Sequence, residues 1–235
     1  MSHEMLSLEE LARQLGRDAR EIEKLASRGR IPGRKVAGSW QFHPSEITHW
    51  LETEMRAYTE PELARVEETQ RSNELSQEVP VGSLIQPETV QVPLEARTKR
   101  SVLESLIEVA GRTWQVWEPA TVLAAVQERE KVLATAYENG VAIPHPRNPP
   151  VGAVGQPIIA YGRTFSGIPF GAPRRGLTDI FFLVLCLDSR THLQVLARLG
   201  RMMQQPGFVD QLRQLDTAPE TYEFICQTDT QLGAN

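Results

Sequence analysis

Two histidines and one arginine of this 235-residue chain have the side chains that phosphoryl chemistry requires. His145 ends a short apolar run, Arg129 lies sixteen residues before it, and His192 opens a later apolar helix. A neutral imidazole is nucleophilic near pH 7, and a second imidazole and a guanidinium can hold the charge of the phosphoryl oxygens. These residues therefore predict a phosphoacceptor site, provided that the fold brings them together.

The backbone around His145 is predicted to be rigid. Gly140 permits a close approach of the chain, and Pro144 and Pro146 restrict the residues on both sides of the histidine. For each of the three residues a structural role stays open on spacing alone. In that alternative, His145 is a loop residue, His192 caps a helix, and Arg129 lies on a solvated helix face.

Composition excludes several classes of protein. The net charge is −5, with 40% hydrophobic and 23% charged residues, so a uniformly basic nucleic-acid binder is excluded. No apolar run approaches the roughly 18–20 residues that span a bilayer, and no signal pattern opens the chain, so a cytosolic protein is expected. Cys186 and Cys226 form no CxxC pair, and no metal or cofactor is expected.

Residues 1–55 predict a miniature winged helix-turn-helix domain. Apolar residues at helical spacing predict a helix that ends at Gly16, and Asp18 is the expected N-cap of a second helix. Alternation over 35–42 predicts a hairpin with its turn at 37–39, and a third helix follows.

This domain carries a local positive charge that suits contacts with phosphate. Residues 17–45 hold seven arginines and lysines against three acidic residues, a net of +4. A dimeric DNA-binding form is one interpretation, and docking to a protein or to a second copy of the chain is the other. The candidate DNA-binding residues are Arg17, Arg20, Lys24, Arg28, Arg34 and Lys35.

Residues 56–82 predict a charged linker. Apolar residues are too sparse to define a core face, although Thr59-x-x-Glu62 is a capping-box pattern, so that part of the segment is expected to form a solvated helix. Weak pairing between two copies of the chain is the alternative.

Residues 83–235 alternate helices with strands, which predicts an α/β mixed-sheet sandwich. Short strands are expected at 141–144 and 158–163, and a buried central strand at 180–187. Helices are expected around 102–110, 119–132, 192–204, 208–215 and 219–226.

Residues 84–227 resemble enzyme IIA of the bacterial phosphotransferase system, in the fructose–mannitol and nitrogen-regulatory class. The resemblance rests on Arg129-Glu130, on Asn139-Gly140-Val141-Ala142-Ile143-Pro144-His145 with Arg147, on Phe170, and on His192-Leu193. It implies that His145 accepts a phosphoryl group from an HPr-type phosphocarrier protein, with His192 and Arg129 supporting the site. Tyr137 and Glu138 depart from the family pattern by adding bulk and a negative charge before Asn139.

Residues 6–52 resemble the excisionase-type helix-turn-helix, a relative of the MerR DNA-binding domain. The resemblance rests on Leu8, Leu11, Gly16, Gly29, Ile31, Pro32, Trp40, Phe42 and Trp50-Leu51.

The two resemblances together imply a cytosolic regulator, a phosphoryl carrier rather than a metabolic enzyme. Phosphorylation of His145 would then change how residues 6–52 bind DNA or a partner protein. Two alternatives stay open, an anion or metabolite sensor that is never phosphorylated and a protein-interaction adaptor.

Overall fold

A computed structural model describes residues 5–71, 79–148 and 151–233. The N-terminal domain has two helices, a hairpin and a third helix, in the predicted order. They are α1 (Leu8–Leu15), α2 (Ala19–Ser27), β1 (Arg34–Val36), β2 (Ser39–Gln41) and α3 (Pro44–Glu54). Gly16 ends α1 in the left-handed conformation, and the Asp18 side chain accepts from the Arg20 amide as the N-cap of α2, as predicted.

Helix α4 (Glu60–Arg71) lies in the segment predicted to be a charged linker. One half of the predicted capping box is present, with the Thr59 amide donating to the Glu62 carboxylate at 2.8 Å. However, the expectation of a solvated helix is wrong, because Leu63 and Glu67 are buried in the fold. Hydrophobic periodicity does not reveal why Glu67 is buried. It is buried because its carboxylate accepts from Arg198 and Arg201, on the helix Ser189–Gln204.

The C-terminal domain begins with a short helix, α5 (Val81–Leu84), and the strand β3 (Ile85–Gln91). The elements that follow are α6 (Lys99–Gly111), α7 (Pro119–Val132), β4 (Val141–Ala142), β5 (Ile158–Ile168), β6 (Thr178–Leu185), α8 (Ser189–Gln204), α9 (Phe208–Gln214) and α10 (Ala218–Gly233). The five predicted helices are present; three of them are longer than predicted, the one at 119–132 has the predicted bounds, and the one predicted at 208–215 ends one residue earlier. Neither α5 nor β3 was expected from the sequence.

The sheet has the order β3-β5-β6-β4, in which only the central β5–β6 pair is antiparallel. The pattern of residues did not predict β3, because it is an edge strand whose register shifts and which contains Pro87. The Thr89 hydroxyl donates to the Ile159 carbonyl at 2.8 Å and ties this edge to the sheet. The predicted α/β mixed-sheet sandwich is confirmed.

Two apolar layers cover the two faces of the sheet. Alternate residues of β6 face opposite ways, so Phe181 packs with α6 and α7, whereas Phe182 packs in the cluster that includes α8 and α10. The second cluster continues into the N-terminal domain, where Leu11 and Ile47 belong to it. The two domains therefore share one continuous core. Among the described residues, no helix is both long and apolar enough to cross a bilayer.

Candidate functional site

The ring of His145 has a defined orientation. Its Nδ1 lies 2.7 Å from the carbonyl oxygen of Ile143, and because that oxygen can only accept, Nδ1 carries the proton. The other nitrogen, Nε2, is then left with a lone pair in the neutral ring. His145 is only 3% exposed, so its ring is buried in the docked arrangement of the two domains.

The backbone that carries His145 is fixed from both ends. Gly140 has φ +85°, and a Cβ there would lie 2.5 Å from an Arg213 nitrogen, so glycine is required. The Gly140 carbonyl accepts from the Ile180 amide, and the Pro144 carbonyl accepts from the Val184 amide. The loop therefore runs along β6 and delivers His145 to the sheet edge.

The three predicted residues meet in space. The ring centroids of His145 and His192 are 4.8 Å apart. The Arg129 guanidinium, on α7, extends into the same cluster. The backbone amides at the N-terminus of α8 are already hydrogen-bonded within the protein. The amides of Thr191 and His192 are bonded to Asp188, the N-cap of α8. One guanidinium nitrogen of Arg129 is likewise bonded to the Leu133 carbonyl, at 2.8 Å.

A fourth residue, Glu52, occupies the centre of this cluster, and no sequence pattern indicated it. Glu52 belongs to α3 of the N-terminal domain and is buried. Its Oε1 accepts from His192 Nε2 at 2.9 Å, and its Oε2 lies 3.3 Å from both His145 Nε2 and an Arg129 nitrogen. His49 Nδ1 is 3.4 Å from the same Oε2. The carboxylate therefore contacts all three predicted site residues.

The surroundings of Glu52 keep it ionised. Burial alone would raise its pKa, but the contact with His145, when that ring carries a proton on Nε2, and the hydrogen bond from His192 outweigh that effect and hold the pKa far below its usual range. Burial lowers the pKa of His192, and burial followed by the Arg129 charge lowers that of His49. His192 and Arg129 therefore present hydrogen-bond donors to one anion, the Glu52 carboxylate.

The family departure at Tyr137 is part of the same contact between domains. Arg56, which follows α3, donates to the carbonyls of Ala134 and Ala136 and lies 4.8 Å from the Tyr137 ring centroid. Glu138, the other departure from the family pattern, is exposed and lies 3.6 Å from Arg174.

The candidate DNA-binding residues divide into two groups. Arg17 is bonded to the Tyr58 hydroxyl at 3.2 Å and to Glu21 at 3.3 Å, within the protein. The others are exposed on α2, on the residue after it and on β1, away from the contact that Glu52 makes. They are Arg20, Lys24, Arg28, Arg34 and Lys35. DNA binding stays a prediction.

Fold and site together define a two-domain protein, in which a helix-turn-helix unit covers a paired-histidine site on a mixed-sheet α/β domain. Comparison with protein families gives a match of residues 83–228 to the phosphoenolpyruvate-dependent sugar phosphotransferase system, EIIA 2, and of residues 5–55 to a helix-turn-helix domain. The chain therefore belongs to the EIIA 2 family.

Individual relatives agree with this assignment. A nitrogen regulatory protein of Pseudomonas aeruginosa is 27% identical over 64% of this chain and 96% of its own length. A fructose-specific EIIABC component of Bacillus subtilis is 22% identical over 63% of this chain, but only 23% of that protein is covered. Among solved structures, the nitrogen regulatory protein IIA-Ntr of Neisseria meningitidis has a TM-score of 0.56 and 25% identity, over 62% of this chain and 98% of that one.

Proposed function

We propose that this protein is a cytosolic regulator that accepts a phosphoryl group on Nε2 of His145 from an HPr-type carrier protein. In this proposal, phosphorylation controls the docking of the helix-turn-helix domain. The observation that carries the proposal is the position of Glu52. A carboxylate of the helix-turn-helix domain occupies the place where the transferred group would bind.

The chemistry follows from the tautomer of His145. The Nε2 lone pair attacks the phosphorus of the phosphorylated carrier, and the new N–P bond forms as the carrier's N–P bond breaks. The bonding electron pair returns to the carrier's imidazole. The Nδ1 proton of His145 stays in its bond with the Ile143 carbonyl throughout. His192 and Arg129 would donate to the oxygens of the transferred group.

Coupling between the domains follows from electrostatics. The donors that would hold the phosphoryl oxygens are those that now hold Glu52, and two anions cannot share them in a buried site. Phosphorylation adds roughly −1.5 to −2 charges. It should therefore expel Glu52 and separate α3 from the C-terminal domain. The buried contact of α4 with α8 gives the released domain a fixed point of attachment.

The exposed basic surface suggests what the released domain does. Arg20, Lys24 and Arg28 face solvent on and just after α2, and the hairpin adds two more positive charges. DNA or an acidic partner would suit this surface. A homodimer would be needed for tight DNA binding, because so few phosphate contacts give weak affinity.

The test is phosphotransfer followed by a measurement of docking. The full chain is incubated with a phosphorylated HPr-type carrier, and an acid-labile, base-stable phosphate is expected. The label should be absent from His145→Ala. Hydrogen exchange should then show loss of protection in α3 of the phosphorylated protein. A label that persists in His145→Ala, or phosphorylation without loss of protection, would contradict the proposal.

The site also favours a second candidate function, a sensor of small anions. It already binds one carboxylate, that of Glu52, through His192 and Arg129. In Glu52→Gln, phosphate, sulfate or dicarboxylates would then raise the melting temperature without phosphotransfer. Normal transfer from the carrier combined with no such stabilisation would exclude this candidate.

A further inference from the structure

The cluster at the domain interface also has the composition of a metal site. Glu52, His145 and His192 each offer one ligand atom, and these three atoms lie within 4.8 Å of one another. We propose that a divalent ion of the zinc class binds between these three side chains. Such an ion would lock the helix-turn-helix domain onto the C-terminal domain. The inference rests on the docked arrangement and does not require His145 to be phosphorylated.

The contact between His145 and Glu52 is electrostatically mismatched. Its Nδ1 carries the proton, so the neutral ring presents the Nε2 lone pair to Glu52 Oε2 at a distance of 3.3 Å. Both atoms are acceptors, and His145 Nε2 is buried without a hydrogen-bond partner. A positive charge placed between the two atoms removes the repulsion. That charge is either a proton on His145 or a metal ion.

A metal ion fits this cluster better than a proton. A proton on His145 Nε2 would relieve that one contact only. His49 Nδ1 is also buried without a hydrogen-bond partner, and it lies 3.4 Å from the same carboxylate oxygen. A metal ion can be shared by several donors at once. His192 Nε2, which donates to the other carboxylate oxygen at 2.9 Å, would ligate the ion once its proton has moved to Nδ1.

The types of donor also suit a metal ion. Two imidazoles and one carboxylate are a donor set of catalytic and regulatory zinc sites, whereas magnesium and calcium prefer oxygen alone. Ligands about 2.1 Å from a tetrahedral ion are about 3.4 Å apart. His145 Nε2 lies 3.3 Å from Glu52 Oε2, and His192 Nε2 lies 2.9 Å from Glu52 Oε1. Because the three ligand atoms lie within 4.8 Å of one another, small movements of these side chains would place them around one ion. His49 or a water would take the fourth position.

The surrounding residues already provide the outer contacts that metal sites use. A ligating histidine commonly donates its second N–H to a carbonyl, as His145 does to Ile143. Glu52 Oε2, the oxygen that faces His145, already accepts from Arg129, and its second lone pair can ligate the ion. The positive charge of Arg129 works against a second cation. We therefore expect affinity in about the micromolar range rather than the much tighter binding of structural zinc sites.

The experiment uses the full chain, stripped of metal with a chelator and kept in a buffer free of phosphate. Zinc is titrated by calorimetry, and cobalt(II) serves as a spectroscopic probe of coordination. One ion per chain is expected, with cobalt absorption bands of four-coordinate type. His192→Gln and Glu52→Gln should each weaken binding by about 100-fold or more, because each removes one of three ligands. Glu54→Gln and His43→Gln, on or beside α3 but outside the cluster, should leave it unchanged.

Three outcomes would overturn the inference. These are no binding, binding that survives both ligand variants, and a cobalt spectrum of the six-coordinate hydrated type. The first of them would mean that a proton alone occupies the space between His145 and Glu52. Since His192→Gln keeps Glu52 in place, it tests the ligand set even if Glu52→Gln releases the domain. A failure of phosphotransfer would leave this result unaffected, so the two proposals are tested separately.

Discussion

The Glu52 carboxylate accepts a hydrogen bond from His192 Nε2 at 2.9 Å, although 140 positions separate the two residues. One of them belongs to a helix-turn-helix domain and the other to an EIIA 2 domain. The bond places the anion of the first domain among the donors of the second. Any event that changes the charge at His145 must therefore change the contact between the domains.

Glu52→Gln should accelerate phosphorylation of His145. The amide keeps the shape of the side chain but removes the charge that competes with the incoming phosphoryl group. We expect an initial rate about tenfold higher, equivalent to about 1.4 kcal/mol. The rate is measured by transfer from a labelled carrier. Glu54→Gln, an exposed neighbour on α3, should behave as wild type, and an unchanged rate in Glu52→Gln would argue that Glu52 does not limit access.

Arg56→Ala should loosen the docked domain. The substitution removes hydrogen bonds to the Ala134 and Ala136 carbonyls and the stacking over Tyr137, for a cost of about 1–3 kcal/mol. The expected results are faster hydrogen exchange in α3 and a lower melting temperature. The exposed Arg13→Ala serves as the matched control in the same domain. Equal protection of α3 in both variants would show that Arg56 does not hold the domain.

Gly140→Ala should disrupt the loop that delivers His145. The residue has φ +85°, and the added methyl would meet Arg213 at 2.5 Å and Asp179 at 3.0 Å. Strain and clash together should cost about 2–4 kcal/mol and reduce phosphorylation. Gly29→Ala has a similar φ of +68° but open space around it, so it should cost only about 1 kcal/mol. Thermal unfolding measures both, and equal losses would refute the steric argument.

Glu67→Gln should detach α4 from α8. Glu67 is buried and accepts from Arg198 at 3.1 Å and from Arg201 at 2.7 Å. Loss of its charge from a buried network should cost about 3 kcal/mol. Glu68→Gln, on the exposed side of the same helix, should change the free energy of unfolding by less than about 0.5 kcal/mol. Chemical denaturation distinguishes the two, and similar midpoints would mean that the ion network contributes little.

If the helix-turn-helix domain binds DNA, Arg20→Ala combined with Lys24→Ala should weaken binding on any sequence. The slope of log affinity against log salt should fall by about 2, because each of the two side chains would neutralise one phosphate. Arg97→Ala with Arg100→Ala removes two exposed charges from the C-terminal domain and serves as the control. A mobility-shift series in salt gives the slopes. Identical slopes in the two variants would assign DNA binding, if any, to another surface.

Local sequence was sufficient to predict most of the elements, whereas the role of His145 as a phosphoacceptor stays a prediction. The resemblance to enzyme IIA indicated that Arg129, His145 and His192 would lie together. Helical periodicity located α1, α2, α6 and α7. These signals are local because caps, turns and buried faces are set by residues a few positions apart. β3 was missed because an edge strand with a proline and a register shift has no regular alternation.

The two domain types and the fold class were predictable from the amino-acid sequence, whereas the convergence of His145, His192 and Arg129 was expected only through the resemblance to enzyme IIA. The burial of α4, the position of Tyr137 beneath Arg56 and the occupation of the anion site by Glu52 emerged only from the folded chain. The physical reason is the same in each case. From sequence alone, a charged side chain is predicted to lie in solvent unless its ion-pair partner can be identified. The distant partners of Glu52 and Glu67 lie 77 to 140 positions away along the chain.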